Sequence, residues 1–421
     1  MHSARSSLAS ASYLPRAATR SAHGPPDLRF VCAAALSVAL LACESGSSAP
    51  LLSGDAGADA RAFVSANPAR ASYRLWLKVE PPGAVCSDGS QYKFFVNYTP
   101  QSDNLVVAFE PGGACWDYES CSGQAGIMGA ANPDGIRDDH MNLWGIASPL
   151  LRRSRGLNPA SDFNMIFVPY CTGDVHTGNN EIVYEDPAGL GPPLTFRHRG
   201  HDNTMKVIDW IDDNFPTIPR MFVTGCSAGG VGSQVNYYFL RNGLPQVGHG
   251  YLLNDSGPVF PEGGFSDRLH AKIRESWNVD PILETLPSSF DVADFGSINT
   301  LLADQFPSDR LAVTFFRRDY NFSVYSYRRF YDPEPTKAEI HEMFWQDTQN
   351  LIAQYETRDN LGYYIPYFRE FNDSHCVSVL GYGGTDIAES DVDLYRYVQN
   401  LLDDSVPLQS FLESPQPGED L

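Results

Sequence analysis

Positive charge is scarce in this chain. Among 421 residues, 30 are Lys or Arg against 51 Asp or Glu, giving a net charge of −21. Nothing here would neutralise a phosphate backbone, which excludes nucleic acid as a partner. A strongly anionic polymer is repelled at long range, whereas a neutral or esterified substrate suits this charge. Long apolar runs are also missing. The stretch Phe30–Ala42 has 13 residues, too few to span a bilayer, and no second apolar span follows. No glycine loop of the phosphate-binding form precedes a helix. The only tight histidine pair, His198 and His201, has no third ligand at metal spacing and reads instead as the start of a helix at Asp202. No metal or cofactor is required, and there is no internal repeat.

What the chain does have is core material. Apolar residues make up 43% and aromatics 12%, enough for a packed interior. The length suits one large α/β domain or two smaller ones. Phe30–Ala42 follows Arg29 and has the length of a signal-peptide apolar core. It ends in Leu40-Leu41-Ala42-Cys43, which resembles the lipobox of bacterial lipoproteins. Residues 1–43 therefore read as a targeting segment in which Cys43 is lipidated and becomes the first mature residue. The part before it, residues 1–28, is longer than a usual charged n-region. Residues 44–70 are small and polar, a flexible tether. Residues 71–410 hold the folded domain, and the Pro- and acid-rich residues 411–421 read as disordered. Membrane contact is then through the lipid alone.

Six cysteines remain beyond Cys32 and Cys43: Cys86, Cys115, Cys121, Cys171, Cys226 and Cys376. An even number in an exported chain suggests three disulfides. Apolar runs at Asn104–Glu110, Asn164–Tyr170, Arg220–Gly225, Gly250–Asn254 and Arg310–Phe316 read as buried parallel strands. Helical patterns such as Asp202–Phe215 and Val231–Leu240 lie between them. Strands alternating with helices predict a doubly wound, mostly parallel α/β sheet of the α/β-hydrolase kind. Its ligands bind at the carboxyl ends of strands.

The chemistry-bearing segments sit at those ends. Gly225-Cys226-Ser227-Ala228-Gly229 follows a strand and precedes a helix. This is a G-x-S-x-G elbow in its required context, and it makes Ser227 the candidate nucleophile. Gly112 and Gly113 follow an early strand, where this fold places backbone oxyanion donors beside the N–H of Ala228. His375 is the histidine nearest the C-terminus, in a polar loop, as the chain order Ser, acid, His requires. Asp319 follows the strand Arg310–Phe316 and is the expected acid. Asp255, in Asn254-Asp255-Ser256-Gly257, is its rival. Asp373 lies too close to His375 in sequence to orient it. Helix-rich insertions at Ser266–Pro287 and Asp332–Tyr355 are expected to cap the site and select substrate.

Several segments occur together in one order. They are Ala84-Val85-Cys86-Ser87-Asp88-Gly89-Ser90, Glu110–Cys121 with its Cys-x5-Cys, Tyr170-Cys171-Thr172-Gly173-Asp174, Gly225–Gly230 and His375-Cys376. Over roughly residues 73–385 the chain resembles the pectin acetylesterase and Notum family of serine carboxylesterases. The resemblance implies Ser227 as nucleophile, His375 as base, and Gly112, Gly113 and Ala228 at the oxyanion hole. In plant members the acid lies in a Tyr-Asp-x-Trp-Gln-like segment; here Arg318-Asp319-Tyr320-Asn321-Phe322 matches at Asp319 but not in its flanks. Pro111-Gly112-Gly113-Ala114 stands where plant members have three glycines and a tryptophan before the cysteine, a departure that bears on the acyl pocket.

The family-like spacing implies Cys115–Cys121, and the resemblance to Notum implies Cys86–Cys171. Cys226–Cys376 follows from the triad: Ser227 and His375 must lie about 3 Å apart, which brings their neighbours within bridging range. The function implied is hydrolysis of an O-acyl ester, including acetyl esters of a polysaccharide, by an exported enzyme, a cell-surface or periplasmic lipoprotein or otherwise a secreted protein. Two alternatives stand beside it: an esterase acting on lipid or polyester, and a non-catalytic surface lipoprotein that keeps the fold as a binding module.

Overall fold

The computed structural model describes residues 73–380 and 385–415. The targeting segment with Cys43 and the tether lie outside the described residues, as does the chain from residue 416. Eleven strands are described: Trp76–Val79 (β1), Phe94–Asn97 (β2), Leu105–Phe109 (β3), Asn164–Val168 (β4), Asn180–Tyr184 (β5), Leu194–His198 (β6), Ile218–Cys226 (β7), Val247–Asp255 (β8), Arg310–Thr314 (β9), Leu361–Ile365 (β10) and Phe411–Leu412 (β11). Nine form one sheet in the order β1-β2-β4-β3-β7-β8-β9-β10-β11, and β5 and β6 form a separate antiparallel hairpin.

Strands β3, β4 and β9 are buried at every position. Such continuous apolar runs belong to parallel strands covered on both faces. Pairing is antiparallel for β1–β2 and β2–β4, and parallel for every other neighbouring pair. The expected α/β-hydrolase-like sheet is therefore present. From β3 the chain moves to β4 on one side; from β7 it moves to β8 on the other. The crevice between β3 and β7 is thus the switch point at which such sheets hold ligands. Register aligns the strand ends there: Phe109 faces Gly225, and Gly225 faces Asn254.

Three details differ from the sequence reading. β4 stops at Val168, because Pro169 has no N–H to give the ladder and Tyr170 N–H turns to the Glu110 carboxylate at 2.6 Å. The domain does not end at residue 410. Phe411–Leu412 pairs with β10, and the buried Glu413 carboxylate accepts from the Tyr367 N–H and pairs with Arg369. The insertion 332–355 forms the helix Lys337–Tyr355, but its apolar face does not meet the site crevice. Phe344 packs against Phe260, Phe315 and Phe322 instead.

Candidate active site

The elbow places its serine by backbone geometry. β7 runs into Cys226, and the helix Ala228–Gly243 starts one residue after Ser227. Ser227 holds φ 57° and ψ −121°, a conformation non-glycine residues rarely adopt and one that marks functional turns. Its N–H donates to the Asp255 carbonyl at 2.7 Å, which ties the turn to β8. The surrounding glycines are steric necessities. A Cβ at Gly225 would strike the Gly229 carbonyl, one at Gly229 the Phe109 carbonyl, and one at Gly230 the Asp255 carbonyl.

The loop carrying Gly112 and Gly113 follows β3. Gly113 has φ 78°, and a Cβ there would strike the Met128 carbonyl. Gly112 packs against Ala131. Two tyrosines hold this loop. Tyr170 Oη donates to the Gly113 carbonyl at 3.0 Å and accepts from Val175 N–H; Tyr325 Oη donates to the Met128 carbonyl at 2.8 Å and accepts from Met128 N–H. The N–H groups of Gly113 and Ala228 form no hydrogen bond among the described residues. Both residues line the same cavity as Ser227.

His375 and Asp319 meet directly. Nδ1 of the ring lies 2.8 Å and 3.0 Å from the two carboxylate oxygens. Asp319 is fully buried and caps the short helix Tyr320–Ser323 by accepting from Phe322 N–H. Burial pulls the imidazole down, but the Asp319 carboxylate, helped by Asp255 and Asp373, outweighs it and leaves the ring above its ordinary pKa. A hydrogen-bonded carboxylate of this kind fixes which ring nitrogen carries the proton.

Asp255 does other work. It accepts from the N–H groups of Val377 and Ser378 at 2.9 Å each, and from the Ser378 and Ser256 hydroxyls. It therefore grips the backbone just after His375 and makes no bond to the ring. Burial pushes its carboxyl up, and those hydrogen bonds oppose the shift.

The three disulfides are Cys86–Cys171, Cys115–Cys121 and Cys226–Cys376. Cys226 and Cys376, with α-carbons 5.7 Å apart, join the elbow to the histidine loop. The residue types that could hold a metal ion occur as two groups among the described residues, each a disulfide pair plus one histidine, His198 or His375. Their sulfurs are bonded to one another, which removes the thiolates such a site needs. The ring of His198 is engaged by the Thr172 carbonyl and the Tyr184 hydroxyl.

An apolar cavity of about 120 Å³ opens beside Ser227. The helix Asp267–Trp277 supplies one wall through Leu269, Ile273 and Trp277, so the insertion beginning at Ser266 does cap the site. Phe322 and Tyr325 also line the cavity, and no residue of the helix Lys337–Tyr355 does. That helix supports the cap from behind: Asp347 accepts from the N–H groups of Phe265 and Ser266 and from the Tyr327 hydroxyl. The tryptophan missing before Cys115 has a counterpart after it, because Trp116 lines the cavity.

Sequence reasoning missed Tyr170, Tyr325, Trp116 and two buried carboxylates. Glu110 joins the ends of β3 and β4, accepting from Tyr170 N–H and Asn132 Nδ2, with His140 Nε2 2.8 Å away. Asp174 gathers N–H groups from His176, Gly178 and Gly200, and burial holds its pKa up at about 7. Both lie inside the quoted motifs, and only the tertiary structure gives them partners.

A model of one family, described as Pectinacetylesterase, matches residues 66–289. This chain belongs to the pectinacetylesterase family. The match takes in Gly112, Gly113 and the elbow and ends before Asp319 and His375. Pectin acetylesterase 7 of Arabidopsis thaliana is 29% identical over 42% of this chain and 42% of its own length. Palmitoleoyl-protein carboxylesterase notum2 of Xenopus laevis is 26% identical over 36% of this chain and 29% of its own. The chain thus matches less than half the length of these curated relatives. A solved structure of the Wnt deacylase Notum from Drosophila superimposes with a TM-score of 0.53 at 19% identity, covering 81% of this chain and 97% of that one. That likeness is one of fold.

Proposed function

We propose that this chain is an exported serine carboxylesterase that removes an apolar acyl group from an O-acyl ester. The observation that carries the reading is the apolar cavity opening at Ser227, together with the His375–Asp319 pair tied to the elbow by the Cys226–Cys376 bridge. Ser227 Oγ attacks the ester carbonyl carbon while His375 Nε2 takes its proton. The carbonyl electron pair moves to oxygen, which accepts from the N–H groups of Gly113 and Ala228, with Gly112 shaping the loop. One such donor is worth about 3 kcal/mol of barrier. Collapse expels the alcohol, protonated by His375, and leaves the acyl group on Ser227. Water, deprotonated by His375, then releases the carboxylic acid and restores the serine. Asp319 keeps the proton on Nδ1 throughout.

Cavity volume argues for more than an acetyl group. A cavity of about 150 Å³ admits benzene, so one of about 120 Å³ takes about five carbons on the same scale. An ester series from acetyl to dodecanoyl tests this. The reading expects kcat/KM to rise from acetyl to a maximum near about six carbons, each methylene adding about fourfold. A maximum at acetyl would favour the second reading, an acetylesterase on a polysaccharide, which the pectin acetylesterase relatives support. No turnover of any ester would leave a binding module.

Three disulfides suit an oxidising compartment, and we infer export with Cys43 lipidated as the first mature residue. Among the described residues no helix is long and apolar enough to cross a membrane. Mass spectrometry of the native N-terminus tests the anchor, and an unmodified terminus downstream of Cys43 would exclude it.

A further inference from the structure

The cavity wall contains one residue that does not suit a plain hydrocarbon. Leu269, His270, Ile273 and Trp277 project from one face of the helix Asp267–Trp277, at the spacing of a buried helical stripe. Three of the four are apolar; His270 is not. Its ring packs on Phe295 with centroids 5.2 Å apart. Most polar groups of the wall are already committed to backbone carbonyls: Thr177 Oγ1 to Asp174, Tyr325 Oη to Met128, Ser326 Oγ to Phe322, and Trp277 Nε1 to Cys115. The Ser227 hydroxyl, the Trp116 indole N–H and the His270 ring make no hydrogen bond among the described residues. An indole N–H only donates, whereas a neutral imidazole also accepts.

We propose that His270 is a specificity-determining residue that accepts a hydrogen bond from a hydroxyl group carried on the acyl chain, so that the substrate is a hydroxyacyl ester. The inference rests on the carboxylesterase reading above. Burial holds the ring down at about 4, so near neutral pH it offers a lone pair and no charge. An uncharged acceptor in an apolar wall suits a hydroxyl. A carboxylate would lose its hydration there with no cation to meet it. The acyl side is favoured over the alcohol side by the composition of the cavity. Its wall includes Gly113 and Ala228, the oxyanion donors, but not His375, which must face the departing alcohol.

The test compares p-nitrophenyl hexanoate with its 3-hydroxy and 6-hydroxy derivatives on the wild type, His270→Phe and His270→Gln. The ratio of kcat/KM values within each protein cancels any general loss of folding. We expect the wild type to favour one hydroxylated ester over the plain one by about fivefold, the size of one net hydrogen bond. His270→Phe should reverse the preference, and His270→Gln, which keeps an acceptor, should retain most of it. Wild-type preference for plain hexanoate over both derivatives would overturn the proposal, as would an unchanged ratio in His270→Phe. A second pair, ethyl hexanoate and monohexanoyl glycerol, places the hydroxyl on the alcohol instead. A His270 effect confined to that pair would also overturn it. If neither these esters nor p-nitrophenyl acetate is cleaved, the carboxylesterase reading itself fails.

Discussion

Ser227 and His375 are held in opposite ways. Ser227 lies between a nine-residue strand and a sixteen-residue helix, and regular hydrogen bonding on both sides fixes it. His375 lies in a loop whose neighbours Asn372, Asp373, Ser374 and Cys376 all have positive φ, between 48° and 61°. Four such non-glycine residues are costly to hold. The loop is kept by separate ties: the Cys226–Cys376 bridge, the Asp255 carboxylate on Val377 and Ser378, the Ser256 hydroxyl on Cys376 N–H, and Ser374 Oγ on Arg369. Ser227 is thus set chiefly by the strand and helix adjoining it in the chain, whereas His375 is positioned largely by groups more than a hundred residues away. Mutations near Ser227 should therefore act on chemistry, and mutations around His375 on chemistry and stability together.

The largest effect should come from Ser227→Ala. Hydrolysis should fall below about one per cent of wild type, with the melting temperature little changed because one partly exposed hydroxyl is lost. Steady-state rates and thermal unfolding check both halves.

The carboxylates come next and separate orientation from support. Asp319→Asn should lower kcat by about 10⁴ through the wrong ring tautomer. Asp255→Asn should cost less rate and more stability, because it loosens a buried backbone grip. If Asp255→Asn proves the more damaging to kcat, this division of labour is wrong.

Disulfide removal should scale with loop length. Cys226→Ser with Cys376→Ser opens a loop of separation 150, and Cys115→Ser with Cys121→Ser one of separation 6. The chain-entropy model gives about 5 and 2 kcal/mol respectively. Denaturant unfolding measures both. Peptide mapping without reduction should recover the 226–376 pair, and finding both as free thiols would remove this tie.

The smallest effect is a shift in pH dependence. His375 must be neutral to act as base, and its pKa lies above the ordinary value of 6.5 because of Asp319. Activity should therefore be lost, on acidification, at a higher pH than for a free imidazole. Asp319→Asn should move that limb down. Stability runs the other way: the protonated ring beside Asp319 stabilises the fold fully below the unfolded pKa, and that contribution fades as pH rises through the folded one. A kcat/KM profile whose acid limb lies below 6.5 would contradict the assignment.

The same contrast sets what is legible in the sequence. The elbow is readable because strand, turn and helix are adjacent in the chain. Five central strands are readable from continuous apolar runs. The outer strands β1, β2, β10 and β11 and the hairpin β5–β6 are not: β1, β2 and β11 have four residues or fewer, β10 is interrupted by Gly362, and β5 and β6 are in part polar. Asp319 and His375 can be proposed from chain order, but the choice between Asp319 and Asp255 needs the fold, since both follow strands. The cavity wall is illegible for the same reason. Trp116, Ile273 and Phe322 converge from three distant segments. The apolar periodicity of Lys337–Tyr355 shows that the helix is buried without showing against what.

The central claim, that Ser227 is the nucleophile activated through His375 and Asp319, is tested most directly by covalent capture. Incubation with a fluorophosphonate, followed by intact mass and peptide mapping, should give one adduct per chain, on Ser227. Labelling should slow by orders of magnitude in Asp319→Asn. An adduct on another residue, or no adduct in folded protein, would contradict the claim.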